Sequence, residues 1–392
     1  RELLVGLLRR LPRVGQRLAR LGRALEVQGA RGSAALTEFD GNLASVAASS
    51  ARIADGITGA PISATALEKW AACPFRYFLD RVLKVRATEN PEEELGWSLD
   101  PARRGSAVHA ILQRFFTELD AAGRLVRGLR YTPADERRLE EIAAEEFRPL
   151  ETLGWTGHRL AWENLRAALL LDLRTFLAAD TRLHLDRSWV PARFEQRFGS
   201  EGGEAWPAAA VELASGAAVR LRGRIDRVDV APDPARPDRA RVIDYKTGRA
   251  FAKKELAADP VAAGMRLQHA AYAEAARAWL AERGVPDAQI EAAYWFTSTK
   301  GEFEERGPSP GAATEARLRD VLEVADEAVR SGAFPQVPGE EAERPGRSTW
   351  ENCAYCPFDR VCPSGREQLW ARKEDDPASA IRRRLPLPGA AG

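Results

Sequence analysis

Gly223-Arg-Ile-Asp226-Arg-Val-Asp229 and, a short way on, Val242-Ile-Asp244-Tyr-Lys246-Thr-Gly248 are two apolar runs that each carry carboxylates near one end. Their alternation predicts strands over Ala218–Val230 and Arg239–Lys246. Strand-end carboxylates facing one cleft, here Asp226 and Asp244, are what a hard divalent cation needs. Lys246 follows Asp244 by two positions, so both side chains leave the same face of a strand. A carboxylate on a metal with an ammonium beside it suits metal-assisted hydrolysis of a phosphodiester.

Outward from these strands the pattern continues. Trp189–Phe198, Ala208–Leu213 and Ala292–Thr297 read as further strands, with Ala231–Asp238 as a hairpin tip. Helical periodicity marks Arg266–Arg283, placing Gln268 and Tyr272 four apart on one face. Upstream, a helix that Ser63 or Thr65 can cap carries Leu67, Trp70, Phe75 and Phe78, with Cys73 inside it. Gly105 is read as opening a second helix, with Val108, Ile111, Leu112, Phe115, Phe116 and Leu119 on one face. His109 lies at the edge of that face. Two helical stretches near 133–149 and 158–180 carry no motif, and a last long helix spans about 312–331. Residues 3–27 read as one or two amphipathic helices, 28–62 as a connector, and Asn90–Asp100 as a mobile loop. Phe334–Trp350 reads as a linker and the run Arg382–Arg384 as a solvated tail.

The chain has 392 residues, long enough for two or three structural units with an ample core. Apolar residues make up 45% and charged residues 29%, which marks a globular protein. No apolar run is long enough to span a membrane, and no membrane partner is expected. The first residue is Arg1 and no signal segment follows, so the chain is expected to be a fragment or processed product. Lys and Arg number 58 against 57 Asp and Glu, a formal net charge of +1. That excludes a histone-like basic coat and leaves room for a local nucleic-acid channel. The pattern Gly-x4-Gly-Lys-Ser/Thr does not occur, so this chain alone is not expected to hydrolyse ATP.

Four cysteines in so long a chain are not a disulfide scaffold. Cys353, Cys356 and Cys362 crowd into ten residues, with Cys73 the one candidate for a fourth thiolate. Zinc and an iron–sulfur cluster both suit four thiolates. Pro follows Cys73, Cys356 and Cys362, and one Cys-x2-Cys knuckle stands where zinc ribbons carry two. Both points favour iron–sulfur.

Together, Gly105-x3-His109, the Asp226 strand, Asp244-Tyr-Lys246-Thr-Gly and Gln268-x3-Tyr272 resemble, in that order, the PD-(D/E)xK nuclease superfamily. The match is to its RecB-like branch over about 62–365. Each piece alone is common; the ordered set is not. The resemblance implies that His109, Asp226, Asp244 and the carbonyl of Tyr245 bind Mg²⁺ or Mn²⁺. It implies that Lys246 assists the attacking water and that Gln268 and Tyr272 support the substrate side. Glu195 sits where many members carry a supporting carboxylate. Cys73-Pro-Phe-Arg-Tyr-Phe and the three later cysteines are similar to the iron-staple subgroup, which implies a [4Fe–4S] cluster held by Cys73, Cys353, Cys356 and Cys362. Within that subgroup the nearest likeness is to the C-terminal nuclease domain of AddB-type helicase–nuclease subunits.

The expected fold is α/β: a restriction-endonuclease-like core, its mixed central sheet flanked by helices, with a helical insertion near 120–186 and a C-terminal iron–sulfur clasp. Residues 1–61 are expected to be the helical remnant of a preceding helicase-like region, 62–375 the nuclease domain and 376–392 a flexible tail. The implied activity is metal-dependent exonucleolytic cleavage of a single DNA strand. The implied partners are DNA, as single strands or duplex ends, and a helicase subunit or domain, at work on double-strand breaks in a bacterial cytoplasm. The rival expectations are an inactive DNA-binding or assembly subunit that keeps the fold and cluster, and a zinc-stabilised scaffold.

Overall fold

The computed structural model describes residues 12–47, 50–86, 98–187, 189–202, 205–231, 237–251, 253–307, 311–344, 347–359 and 361–385. The chain divides into two compact units, each assembled from separated segments. Most of the loop expected at Asn90–Asp100 and of the tip at Ala231–Asp238 lies outside the described residues.

The larger unit falls within residues 60–68 and 88–322. Its elements run β1 (Ile62–Ser63), α1 (Ala64–Ala72, which opens here), α2 (Pro101–Ala121), α3 (Pro133–Thr152), α4 (Arg159–Arg187), β2 (Val190–Phe198), β3 (Ala209–Glu212), β4 (Ala218–Ala231), β5 (Arg239–Lys246), α5 (Gln268–Ala281), β6 (Gln289–Phe296), β7 (Glu305–Arg306) and the start of α6 (Ala312–Arg330), whose residues from Glu323 belong to the smaller unit. The sheet follows the path β1-β4-β5-β6-β7, with β2 and β3 also paired to β4. It is mixed: β1 runs parallel to β4 and β5 parallel to β6, while β2, β3 and β5 run antiparallel to β4, and β7 antiparallel to β6. The parallel β5–β6 pair needs a crossover, which α5 supplies.

Strand β5 is buried at every position from Ala240 to Tyr245, as expected of a strand covered on both faces. On one face Ile243, Tyr245 and Trp295 pack into a core with Ile111, Phe115, Phe147 and Phe176 of α2, α3 and α4. Alternation turns Asp244 and Tyr294 to the other face, and α5 lies against β5 and β6. Helix α2 starts earlier than Gly105. Asp100 accepts from the amides of Ala102 (2.9 Å) and Arg103 (3.0 Å), and Pro101 takes the first turn, a cap and a proline in their favoured places. Thr132 and Asp135 form a capping box that starts α3.

The smaller unit falls within residues 1–59, 69–87 and 323–386. A helix over Pro12–Gly32 runs five residues further than the sequence periodicity suggested. Cys73 lies between helices, in extended backbone, rather than within one. Pro74 disfavours helical backbone at the residue before it and starts a new short helix. The stretch expected as a linker folds as a hairpin, β8 (Glu341–Arg344) with β9 (Arg347–Trp350).

Residues 376–385, expected in a flexible tail, are structured. Helices α7 (Arg366–Lys373) and α8 (Pro377–Arg383) follow each other. Buried Lys373 donates to the carbonyls of Ala30, Ser33 and Ala35 and pairs with Asp40 at 3.0 Å. Arg382, read as solvated, is half-buried and donates to the carbonyl of Ala71 at 2.7 Å. Asn352 donates to that of Ala72 at 2.9 Å. The last carbonyls of α1, which have no partner within the helix, are thereby satisfied. Among the described residues no helix is long and apolar enough to cross a membrane.

Candidate active site

A cavity of about 490 Å³ opens in the larger unit. Asp226 from β4, Asp244, Tyr245 and Lys246 from β5, and His109 from α2 all line it. Gln268 and Tyr272, the first and fifth residues of α5, line it as well. Seven of the positions that the sequence singled out within this unit therefore share one cavity.

Backbone and side chains interlock there. The amide of Tyr245 donates to Asp226 Oδ2 at 2.7 Å, so the β4 carboxylate is fixed by the β5 backbone. His109 Nδ1 stands 3.3 Å from Asp226 Oδ1 and 3.8 Å from Glu195 Oε1, while its Nε2 meets the Tyr245 carbonyl at 3.1 Å. Burial favours the neutral imidazole, but hydrogen bonding and charge from Asp226, with Asp244 and Glu195, outweigh it and raise the His109 pKa. Asp244 is 3% exposed and forms an ion pair with Lys246. Burial, with the charge of Asp226, raises the Asp244 pKa despite the attraction of Lys246. Lys246 Nζ also donates to Gln268 Oε1 at 2.9 Å, and Gln268 Nε2 to the Tyr272 hydroxyl at 3.2 Å.

Glu195, which only the resemblance had marked, stands with this cluster. With His109 and Asp226 it forms the one trio, among the described His, Cys, Asp and Glu residues, whose ligand atoms all lie within 4.8 Å of one another. Its φ of 51° is left-handed, a conformation uncommon for a residue other than glycine. An ion pair with Arg224 at 2.6 Å holds the carboxylate. Two carboxylates and an imidazole within 4.8 Å of one another, with Asp244 lining the same cavity, offer the oxygen and nitrogen donors of a divalent cation, so the residues present fit such an ion.

Glu68 of α1 also belongs to this arrangement, and no motif marked it. Its Oε1 accepts from the amides of Leu267 (2.7 Å) and Gln268 (3.2 Å). It thereby supplies the cap at the start of α5 that Leu267 does not. Burial raises its pKa, with these amides and Lys246 opposing.

Beneath the site, on the opposite face of the sheet, lies a buried charge network. Arg227 pairs with Asp180 (2.9 Å) and Asp229 (2.5 Å), and its guanidinium lies 4.7 Å from the centre of the Phe116 ring. His184 meets Asp180 at 3.2 Å and the Trp189 carbonyl at 2.8 Å, and Tyr131 donates to Asp180. Asp180, His184, Arg227 and Asp229 are at most 1% exposed. Asp226 and Asp244 are thus each followed by a residue anchored on this side, Arg227 and Tyr245.

These features decide the family. The sequence profile of the PD-(D/E)XK nuclease superfamily matches residues 61–363.

The chain belongs to the PD-(D/E)XK nuclease superfamily.

Similar proteins are named as the B subunits of ATP-dependent helicase/deoxyribonucleases. The Clostridium novyi protein is 28% identical over 222 residues, which are 55% of this chain and 18% of that protein. A Clostridium botulinum protein is 29% identical over 229 residues (57% and 18%), and that of Acetivibrio thermocellus 30% over 217 residues (54% and 17%). This PD-(D/E)XK chain therefore spans under a fifth of the length of those relatives.

All four cysteines fall in the smaller unit of this PD-(D/E)XK protein and are partly buried free thiols. Each thiol pKa is raised chiefly by burial, that of Cys362 to about 12, where the other three add to it. Arg366 donates to Cys353, and backbone amides reach Cys73 and Cys356. A tetrahedral zinc would bring thiolates to within roughly 3.8 Å of each other. No trio of these sulfurs is within 4.8 Å among the described residues.

Proposed function

We propose that this chain is a divalent-metal-dependent deoxyribonuclease, an exonuclease acting on one DNA strand. The observation that carries the reading is the shared cavity: Asp226, Asp244 and His109 converge on one side, with Lys246 held between Asp244 and Gln268. Mg²⁺ or Mn²⁺ would be held by Asp226, Asp244, His109 and the Tyr245 carbonyl, with Glu195 in support. It would supply Lewis-acid stabilisation and a more acidic water.

The chain's own groups do the rest. Asp226 is locked to β5 by the Tyr245 amide, so the two carboxylates keep their separation whether or not charge is neutralised. Lys246 presents an ammonium to the attacking water or a phosphate oxygen. Gln268 and Tyr272 fix that ammonium and shape the substrate side.

The names of the relatives support a place within a helicase–nuclease assembly that processes double-strand-break ends, with a helicase subunit or domain as partner and the bacterial cytoplasm as the setting. Three cysteines within ten residues, the partial burial of all four and the influence of the other three on Cys362 support a [4Fe–4S] cluster on Cys73, Cys353, Cys356 and Cys362. Its role is a clasp that ties separated segments of the smaller unit together.

The test is anaerobic purification, metal analysis, and a cleavage assay on single- and double-stranded DNA with and without Mg²⁺ or Mn²⁺. Asp244→Ala and Lys246→Ala are each expected to abolish cleavage, a loss of at least about 10³-fold, while DNA binding persists. Undiminished cleavage by Asp244→Ala would place the chemistry elsewhere. A wild type that binds DNA and never cuts it would favour an assembly subunit.

A further inference from the structure

Arginines gather on the sheet beside the cavity. Along β4, Arg220, Arg222 and Arg224 are exposed, and they alternate with Val219, Leu221 and Ile225, all buried. Side chains two apart on a strand share a face at a spacing of about 6.6 Å. The three guanidinium groups therefore form a row, and Arg222 and Arg224 already line the cavity that holds Asp226.

Strand β2 adds a fourth. Arg197 is exposed and stands directly opposite Arg224 in the antiparallel register. Like charges in that position destabilise a strand pair. Glu195 pairs with Arg224 but is itself drawn to the His109–Asp226 cluster. On the other side Ser63 stands in register with Arg222, which brings a hydroxyl and the start of α1 to the same cavity wall.

With a formal net charge of +1, the molecule as a whole exerts little long-range pull on a polyanion. A local concentration of cations beside the site must supply that attraction. We propose that Arg197, Arg220, Arg222 and Arg224 form a phosphate track that holds one nucleic-acid strand and leads it along β4 to Asp226. The proposal rests on the nuclease reading, and it assigns the route by which the polymer reaches the site.

The experiment measures binding of a fluorescent single-stranded oligonucleotide in Ca²⁺ over a salt series. It compares the wild type, the triple variant Arg197→Gln/Arg220→Gln/Arg222→Gln and a charge-matched control, Arg130→Gln/Arg137→Gln/Arg182→Gln. Each lost phosphate contact on a single strand flattens the slope of log K against log salt by about 0.7. The track variant is expected to lose about 2 in slope and at least tenfold in affinity, and the control to keep both.

Equal losses in the two triples, or none in the track variant, would overturn the track. Arg197→Gln alone guards against misfolding of the triple. It should lose about 0.7 in slope and raise the urea midpoint without DNA, because the opposed charges are relieved. An unchanged slope in that variant would also overturn the track. Wild-type cleavage of the same oligonucleotide in Mg²⁺ is scored separately. Its absence would sink the nuclease reading, while the binding comparison would still decide the track.

Discussion

Lys246 is held at two points, by Asp244 and by the amide oxygen of Gln268, and Gln268 is in turn held by Glu68 through its backbone. Removing the Glu68 carboxylate leaves two amides at the start of α5 without their acceptor and lets Gln268 drift. Glu68→Ala is expected to lower kcat by about 10- to 100-fold, as loss of an outer supporting group does, with KM little changed. Glu68→Gln, which keeps an acceptor oxygen, should recover most of it. Steady-state kinetics on a short oligonucleotide with both variants decides this, and equal rates for Glu68→Ala and the wild type would show that α5 holds Gln268 unaided. Asp226, Asp244, Lys246 and Gln268 were legible in the sequence because their ordered motifs resemble those of the RecB-like branch, while strand and helix spacing alone gave only which side chains share a face. Glu68 was not, since its role comes from a contact 200 residues away. Glu195 was half legible: its identity fitted, but the left-handed backbone that turns it inward leaves no mark on composition.

Strand β4 carries opposite chemistries on its two faces, Asp226 toward the cavity and Arg227 toward the buried charge network. Gly223 must be small, because a Cβ there would stand 2.8 Å from the Phe198 ring and 3.2 Å from Tyr272. Arg227, next to Asp226, is locked to Asp180 and Asp229 on the other face. Sequence alternation assigned β4 and β5 closely and gave the helices of the insertion. It read α3 and α4 as an unmatched helical insertion, whereas α4 supplies Asp180 and His184, which meet Arg227.

Arg227→Met would strand two buried carboxylates and is expected to cost about 3–5 kcal/mol, read as a fall in the urea midpoint. A fall equivalent to under about 1 kcal/mol, the worth of an exposed pair, would show that the network is not coupled. The network also gives stability a pH window. Burial alone would raise Asp180, but Arg227 and His184 overcome it and hold its pKa well below the ordinary carboxylate value. Its contribution is therefore present above about pH 4 and lost as pH falls toward that depressed value. His184 is opposed by burial and raised on balance by Asp180. Its contribution is full below about pH 6.5 and lost as pH rises through the raised value. Urea midpoints across pH should accordingly fall at both ends, and Asp180→Asn should flatten the acid limb.

At the scale of the molecule, the smaller unit draws on three separated segments, and the cysteines come from two of them. Sequence spacing placed three cysteines together and named Cys73 as the fourth. It could not show that the segments on either side of α1 belong with the C-terminal helices, because those contacts are long-range hydrogen bonds such as Lys373 to Ala35. If the four thiols hold a cluster, Cys73 alone ties across a loop of about 280 residues, and closing so long a loop removes much entropy from the unfolded chain. Cys73→Ala is expected to lose the brown colour and the iron, and to make residues beyond 353 sensitive to protease. Iron content and a digestion pattern identical to wild type would break the four-cysteine assignment, and stoichiometric zinc in colourless wild type would replace the cluster.

The two residues of β1 pair with Leu221 and Arg222, about 160 positions later in the chain. The antiparallel β4–β5 pair, by contrast, joins residues 8 to 16 positions apart. Pairings between near neighbours form first, and those that must close a long loop form last. A refolding chain therefore buries most of its sheet, and with it Trp295 of β6, before Ser63 reaches the cavity wall. Intrinsic fluorescence would report a native-looking molecule while the mouth of the cleft is still being built, so recovery of activity lags recovery of structure.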